Sequence, residues 1–210
     1  MFNIPTPFEI ALLLPAIIIG LTFHELAHGY VAYRLGDSTA ARQGRLTVNP
    51  IAHIDPIGFI ALFLVGFGWA KPVPVNPFNM RGDPQRNMLL VSLAGPAANM
   101  VLAFVFAVLL GLGLANLFPH GHEIVVQIIY INIVLAVFNL LPIPPLDGSK
   151  ILAGLLPPSQ ANVIYALEQY GFIILLILLF TGVISKILSV IILPVFGLLM
   201  DLATGISVGF

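Results

Sequence analysis

The residues of this chain with the clearest capacity for chemistry are His24, Glu25 and His28, which lie together in a long apolar stretch. Two histidines four residues apart share one face of a helix, where they can supply two nitrogens to a zinc ion. A glutamate beside them can act as general base toward a zinc-activated water. The alternative is a pair of histidines bonded to the backbone or to each other. Since that alternative buries the Glu25 charge without a cation, we favour the zinc site.

A catalytic zinc needs a third protein ligand, and Asp147 is the best candidate for it. It follows the proline-rich run 142–146, whose restricted backbone would deliver the carboxylate. Two histidines and one carboxylate would hold one Zn²⁺ per chain and leave its fourth position open for water. Asp147 could equally cap a helix that continues through Gly148 and Ser149. The residues alone leave these two roles open.

The composition indicates a membrane protein. Of the 210 residues, 59% are hydrophobic and only 8% are charged, and the mean hydropathy is +1.06. A typical soluble domain has about 25% charged residues. The length predicts a single all-α polytopic membrane domain over 1–210, a bundle of about four to six transmembrane helices. A net charge of −1 without a basic cluster gives no sign of a nucleic-acid partner, and the absence of cysteine excludes thiolate ligands. Because 1–9 contain no Lys or Arg, we expect the first apolar segment to be retained rather than cleaved as a signal peptide.

Hydropathy divides the chain into spans and one irregular segment. Segment 56–69 is apolar but too short for a spanning helix of about 20 residues. The Pro-Val alternation at 71–77 is typical of extended backbone, since a helix interior does not tolerate repeated prolines. We therefore expect 51–86 to be re-entrant. The C-terminal helices at 166–206 form either two short spans or one span and an interfacial helix. The other predicted spans are 8–35, 87–117 and 124–141.

The basic residues predict the orientation in the cell membrane. Segment 34–50 holds three arginines and 71–86 holds Lys71, Arg81 and Arg86, so both are expected on the cytoplasmic side. The 116–123 turn has no Lys or Arg and is expected outside. His28 is six residues, or about 9 Å of helix, from Arg34. The site should therefore lie within the membrane, nearer the cytoplasmic face.

Three motifs in this order resemble those of the site-2 protease family of intramembrane zinc metalloproteases. They are His24-Glu25-x-x-His28, Gly95-Pro96-Ala97-Ala98-Asn99 and the segment from Asn139 to Gly148 that contains Asp147. The resemblance covers residues 8–155. The chain differs from larger members in lacking a PDZ insertion and a CBS tail, and so resembles a minimal form.

This resemblance implies an activity and assigns roles to residues. It implies Asp147 as the third zinc ligand and Glu25 as the catalytic base. It further implies that Asn139, together with Asn99, hydrogen-bonds the substrate or the oxyanion. The expected partners are membrane proteins whose transmembrane segments are cleaved within the lipid bilayer, after a first cut has removed an outer domain. The sequence names neither the substrate, the trigger nor the oligomeric state.

Other polar residues have simpler interpretations. A small-residue stripe on the second span (Gly95, Asn99, Ala103, Ala107 and Gly111) predicts close helix packing. Asn132 and Asn139 share a face of the third span, where either could join helices. His53 and Asp55 could form a second metal site, but a turn at the membrane surface is the better interpretation. His120 and His122 are expected to be solvated.

Two other functional classes fit a buried metal site. A divalent-metal transporter would use His24, His28 and Asp147 as a transit site, but it would need further ligands spaced along the route of the ion through the membrane. A non-catalytic membrane scaffold would keep the zinc without cleaving anything. Only a protease needs Glu25 as a base, so the sequence favours the protease.

Overall fold

The computed structural model describes residues 6–65 and 68–208, and this part of the chain is mostly helical. The helices are α1 (Pro7–Leu35), α2 (Thr39–Arg42), α3 (Pro56–Val65), α4 (Pro84–Gly111), α5 (Gly121–Asn139), α6 (Asp147–Leu155), α7 (Pro158–Leu167), α8 (Gly171–Phe180) and α9 (Val183–Val208). The described residues contain no β-strand beyond one isolated bridge, between Ile54 and Ala70. The all-α prediction is confirmed.

Five helical segments in the described residues are long and apolar enough to cross a membrane, within the predicted number of four to six. They are Phe8–Leu35, Pro84–Gly111, Gly121–Asn139, Pro158–Phe180 and Val183–Ser207. The C-terminal part therefore contains two helical segments of spanning length, which favours two spans over one span and an interfacial helix. The first of these begins at Pro158, earlier than the predicted 166, because α7 and α8 join through a 3-10 turn at Glu168–Tyr170.

Local signals determine where the long helices begin and end. Thr6 caps α1 in a capping box, because its side chain accepts from the Glu9 N–H while the Glu9 carboxylate accepts from the Thr6 N–H. Gly36 ends α1 at a φ of 117°, a conformation that favours glycine. The predicted second span ran to 117, but α4 ends at Gly111 because Gly113 has a φ of 72° and a 3-10 turn follows.

Helix α4 is at the centre of the bundle and packs against α1, α5, α6 and α9. Its small-residue stripe is buried throughout, as predicted. At the far end of the stripe, a Cβ on Gly111 would lie 2.6 Å from the Ala203 carbonyl of α9. Small side chains therefore let α4 approach its neighbours closely.

The segment between α2 and α4, residues 43–83, contains one short α-helix and is otherwise irregular in its described part. Helix α3 has ten residues, too few to span a bilayer of about 30 Å at 1.5 Å per residue. The backbone that follows is non-helical, as the prolines predict, and the Lys71 N–H donates to the His53 carbonyl at 2.9 Å. We call residues 70–76 the extended segment. It packs beside the C-terminal half of α1, and its re-entrance into a bilayer stays a prediction.

Candidate metal centre

His24, His28 and Asp147 converge although 119 to 123 residues separate the aspartate from the histidines. The Nε2 atoms of the two histidines are 3.0 Å apart, and each lies 3.1 Å from Oδ2 of Asp147. Both histidines are buried, and the aspartate is nearly so. The predicted third ligand is thus placed with the predicted pair by the packing of α6 against α4 and of α4 against α1.

The opposite nitrogens of the two imidazoles are held by hydrogen bonds. His28 Nδ1–H donates to the Val91 carbonyl at 2.7 Å, and His24 Nδ1–H donates to Oδ1 of Asn99 at 2.6 Å. A neutral imidazole that carries its hydrogen on Nδ1 has a lone pair on Nε2. Both Nε2 lone pairs therefore face Asp147, as metal-ligating histidines require.

Asn99 is wholly buried and completes a network behind His24. Its amide nitrogen donates to the Gly20 carbonyl at 3.0 Å and to Oδ1 of Asn132 at 2.8 Å. Asn132 in turn donates to the Ile128 carbonyl. Both amide hydrogens of Asn99 thus have partners, and Asn99 is not among the residues that line the cavity; its contact with the substrate or oxyanion stays a prediction. Its geometry orients the His24 ring.

Gly95 gives both imidazoles room against α4. A Cβ at this position would lie 2.5 Å from Nε2 of His28 and 2.6 Å from Cε1 of His24. Real Cβ atoms do not approach other atoms so closely, so a larger residue would displace the rings. The sequence pattern predicted only close helix packing for Gly95 and missed that it makes room for the two imidazoles. Its place one turn before Asn99 could have indicated this.

Asp147 is the first residue of α6, and the capping position is occupied by Leu146. Its carboxylate contacts the histidines and makes no side-chain cap, so the capping alternative does not describe its use. Gly148 packs directly against the carbonyls of Leu140 and Leu141, where no Cβ would fit. This close approach brings the start of α6 up to the end of α5.

Glu25 is buried beside the histidines with 9% of its surface exposed. Its Oε2 accepts a hydrogen bond of 2.8 Å from the backbone N–H of Val73 in the extended segment. Within the described residues Oε1 has no hydrogen-bond partner. The carboxylate is thus held in place by the extended segment while one oxygen stays available.

The three candidate ligands and Glu25 line a cavity of about 650 Å³. Its walls are mostly apolar and come from α1, α4, α5, α6, α8 and the extended segment. Asn139 also lines this cavity and donates to the Leu135 carbonyl at 3.0 Å, which commits one of its two amide hydrogens. The cavity is large enough for a short stretch of peptide.

The other predicted polar residues lie elsewhere. His53 is buried and donates from Nε2 to the Thr47 carbonyl at 2.8 Å, while Oδ1 of Asp55 accepts from the first N–H groups of α3. These contacts are those of a turn and a helix cap, and they favour the predicted turn over a second metal site. His120 and His122 are exposed. In the described ranges, His24, His28 and Asp147 form the one group with metal-ligand spacing.

The donor set fits zinc. Without a cation, two Nε2 lone pairs and a carboxylate oxygen at 3.0–3.1 Å from one another would repel. The corresponding separation between ligand atoms of a tetrahedral zinc is about 3.3 Å, from bonds of about 2.0 Å. Two imidazoles and one carboxylate are also the ligand types of catalytic zinc sites with an open fourth position.

Comparisons with known proteins agree with this chemistry. The model of Peptidase family M50 matches residues 119–178. A Bacillus subtilis protein with the provisional name zinc metalloprotease YwhC is 46% identical over 82% of this chain and 81% of its own length. The provisionally named zinc metalloproteases Rip2 of Mycolicibacterium smegmatis and Mycobacterium tuberculosis are 33% and 30% identical, over 80% and 77% of the chain. The chain spans 66% and 63% of those two relatives. No solved structure gives a significant match.

The sequence similarity and the fold together identify the chain. The M50 match and the Bacillus relative show the family, and the helices fit a multi-pass membrane protein. The chain belongs to peptidase family M50, the site-2 protease family, and is a zinc metalloprotease.

Proposed function

We propose that this protein is an intramembrane endopeptidase that hydrolyses peptide bonds in the transmembrane segments of other membrane proteins. The observation that carries the proposal is the convergence of His24, His28 and Asp147 in a cavity enclosed by helices long enough to span a bilayer. In this proposal the three residues hold zinc and Glu25 is the catalytic base.

Each residue of the site has a separate task. Zinc, when bound, supplies Lewis acidity and lowers the pKa of water so that it attacks at neutral pH. Glu25 takes a proton from the attacking water and returns it to the leaving amine nitrogen. The Val73 N–H holds Oε2 of Glu25, which leaves Oε1 for this exchange. The apolar walls exclude bulk water and so strengthen the electrostatic interactions inside the cavity.

Asn139 is the candidate for stabilising the oxyanion. It lines the cavity, and one of its amide hydrogens has no partner among the described residues. Donating that hydrogen to the developing negative charge would lower the barrier by about 3 kcal/mol. Asn99, which faces away from the cavity, supports the site as a positioning residue for His24.

The site is proposed to lie nearer the cytoplasmic face. With five spans, the loops after α1 and α5 and the extended segment belong to one end of the bundle. Seven of the eight Lys and Arg residues of the chain lie at that end: Arg34, Arg42, Arg45, Lys71, Arg81, Arg86 and Lys150. The positive-inside rule makes this end cytoplasmic.

The decisive experiment is reconstitution of the full chain in liposomes with a helical transmembrane substrate. We expect Glu25→Gln to retain stoichiometric zinc and to lose cleavage by at least about 100-fold, because the metal ligands remain while the base is removed. Glu123→Gln, at an exposed carboxylate on α5, is the matched control and should cleave like wild type.

Two results would contradict the proposal. Full cleavage by the Glu25→Gln protein would exclude Glu25 as the base. Zinc flux across the liposome without cleavage would favour the transporter, although within the described residues a single ligand cluster offers no path of sites.

A further inference from the structure

Lys150 introduces a positive charge into the wall of the candidate active-site cavity. Among the described residues that line this cavity, it is the only Lys or Arg. It lies three residues after Asp147 in α6, so the two side chains share one face of that helix. The side chain is half-buried.

The position of Lys150 is set by rigid structure rather than by a mobile loop. Gln85 of α4 donates to the carbonyls of Ala153 and Leu156, at 2.7 and 2.8 Å, and so ties α6 to α4. Gly154 of α6 packs so closely on Leu89 of α4 that a Cβ there would lie 2.5 Å from the Cβ of Leu89. The backbone of Lys150 is therefore fixed relative to the metal ligands, and its side chain lines the cavity that they share.

No acidic side chain of the described residues forms an ion pair with Lys150. Lys150 also lines a second cavity of about 350 Å³, together with Tyr165 and Glu168, but among the described residues no ion pair joins it to the Glu168 carboxylate. Lys150 thus lines two cavities and forms no ion pair with a carboxylate of the described residues. A half-buried ammonium in this environment gains most from an anion supplied by a ligand.

The other charges of the zinc-loaded site leave the positive charge of Lys150 unmatched. With neutral imidazoles, the two charges of Zn²⁺ are balanced by Asp147 and Glu25. Lys150 then gives the cavity one net positive charge. An apolar peptide carrying one carboxylate would complement both the walls and this charge.

We infer that Lys150 is a specificity-determining residue that selects transmembrane segments with an aspartate or glutamate near the scissile bond. This inference rests on the proposed function and names the substrate class of the same site. A carboxylate in a bilayer is costly, and pairing with Lys150 removes part of that cost on binding. Segments with a lysine at the same place should be disfavoured by like-charge repulsion.

The test uses host transmembrane peptides of leucine, alanine and glycine, with a single Asp, Asn or Lys at successive central positions. Binding is measured with the full-length Glu25→Asp protein in phosphatidylcholine vesicles. This variant keeps the negative charge of the site, while its shorter side chain withdraws the base from the attacking water and so slows cleavage during the measurement. At one or two adjacent positions, we expect the Asp peptide to bind about tenfold more tightly than its Asn counterpart, the effect of one charge-assisted hydrogen bond. The ratio of the two dissociation constants is the readout, which cancels any partial loss of folded protein.

Variants assign that ratio to Lys150. In the same background, Lys150→Met should reduce the ratio to about one, Lys150→Arg should keep it, and Lys150→Glu should shift the preference to the Lys peptide. Lys186→Met, which removes an exposed cation of α9, is the matched control and should keep the ratio.

The outcomes separate this inference from the proposed function. A ratio near one at every position overturns the role of Lys150, even if wild type cleaves the peptides and Glu25→Gln does not. An Asp preference that depends on Lys150, with no cleavage by wild type, supports the anion site and contradicts the protease. If Lys150→Met changes binding only in vesicles with phosphatidylglycerol, and equally for the Asp and Asn peptides, Lys150 binds lipid phosphate and the inference is wrong.

Discussion

Each imidazole of the metal centre is fixed by a hydrogen bond from Nδ1, and each of these bonds depends on α4. Val91 supplies a backbone carbonyl and Asn99 a side-chain carbonyl, one helical turn to either side of Gly95. Gly95 itself supplies only space. The three positions place both rings against α4 with their Nε2 lone pairs toward Asp147. The positions of the two imidazole rings therefore depend on α4 as much as on α1, which carries them.

Gly95→Ala should therefore impair zinc binding although it changes no ligand. The added methyl group would overlap both rings, whose displacement separates the Nε2 atoms from Asp147. We expect zinc affinity to fall at least about tenfold, as it does when residues behind metal ligands are altered. Competition with a chromogenic chelator measures this. Gly197→Ala in α9, where a Cβ meets nothing within 4 Å, is the matched control. Equal zinc affinity in the two variants would show that Gly95 is not needed for the ring positions.

The pairing of His24 with His28 could be predicted from the sequence because helical spacing alone puts both on one face, whereas the residues alone left the role of Asp147 open and only the family resemblance implied it as a ligand. The hydrogen bonds that Asn99 makes could not be predicted in this way. The four-residue spacing from Gly95 to Asn99 shows that they share a face of α4, but it does not show which atoms the Asn99 amide meets. Only packing shows that Gly20 and Asn132 take both of its hydrogens. Similarly, a backbone N–H such as that of Val73 has no side-chain signature, so its bond to Glu25 could not be predicted.

Among the elements, the extended segment is held by carboxylates at its middle and at its C-terminal end. Glu25 accepts from Val73, and Asp37 accepts from the Asn76 N–H at 2.6 Å. Asp37 is wholly buried and also accepts from Asn79 and from Thr39. The proline pattern correctly predicts the extended backbone. The two hydrogen bonds to Glu25 and Asp37 depend instead on how the segment packs against α1 and the residues that follow it. The segment is thus fixed to both the middle and the end of α1.

Asp37 should make this attachment sensitive to acid. Burial raises the pKa of its carboxyl, but the hydrogen bonds from Asn76, Thr39 and Asn79 outweigh burial and hold the pKa below its ordinary value of 3.8. Because the folded-state pKa is depressed, the stabilisation is complete above pH about 4 and is lost as the pH falls through the folded-state pKa.

Asp37→Asn tests this attachment through thermal unfolding of the zinc-free protein in detergent. At pH 7 the variant should be less stable than wild type by about 2 kcal/mol, because charge-assisted hydrogen bonds are lost and an amide N–H₂ faces donors. The difference between the two proteins should shrink when the pH is lowered below 3.8. Asp201→Asn, at an exposed carboxylate of α9, controls for the loss of a charge. A difference independent of pH would mean that ionisation of Asp37 does not contribute.

For the whole molecule, the five candidate spans and the distribution of charge predict one orientation. The loop that follows α1 and the start of α6 lie at the same end, with seven of the eight basic residues. The turn between α4 and α5 lies at the opposite end and contains no Lys or Arg. Since His28 is within two turns of the end of α1, the metal centre belongs to the basic end.

The absence of cysteine makes this orientation directly measurable, because each introduced cysteine is the only thiol of the protein. We expect Gln43→Cys, in the exposed loop after α2, to react with a membrane-impermeant maleimide only after the cells are opened. Asn116→Cys, in the exposed turn after α4, should react in intact cells. The wild-type chain gives the background, and zinc content shows that each variant keeps its metal centre. Labelling of position 43 in intact cells would reverse the orientation and place the metal centre near the outer face, whereas labelling of both positions from outside would contradict α4 as a span.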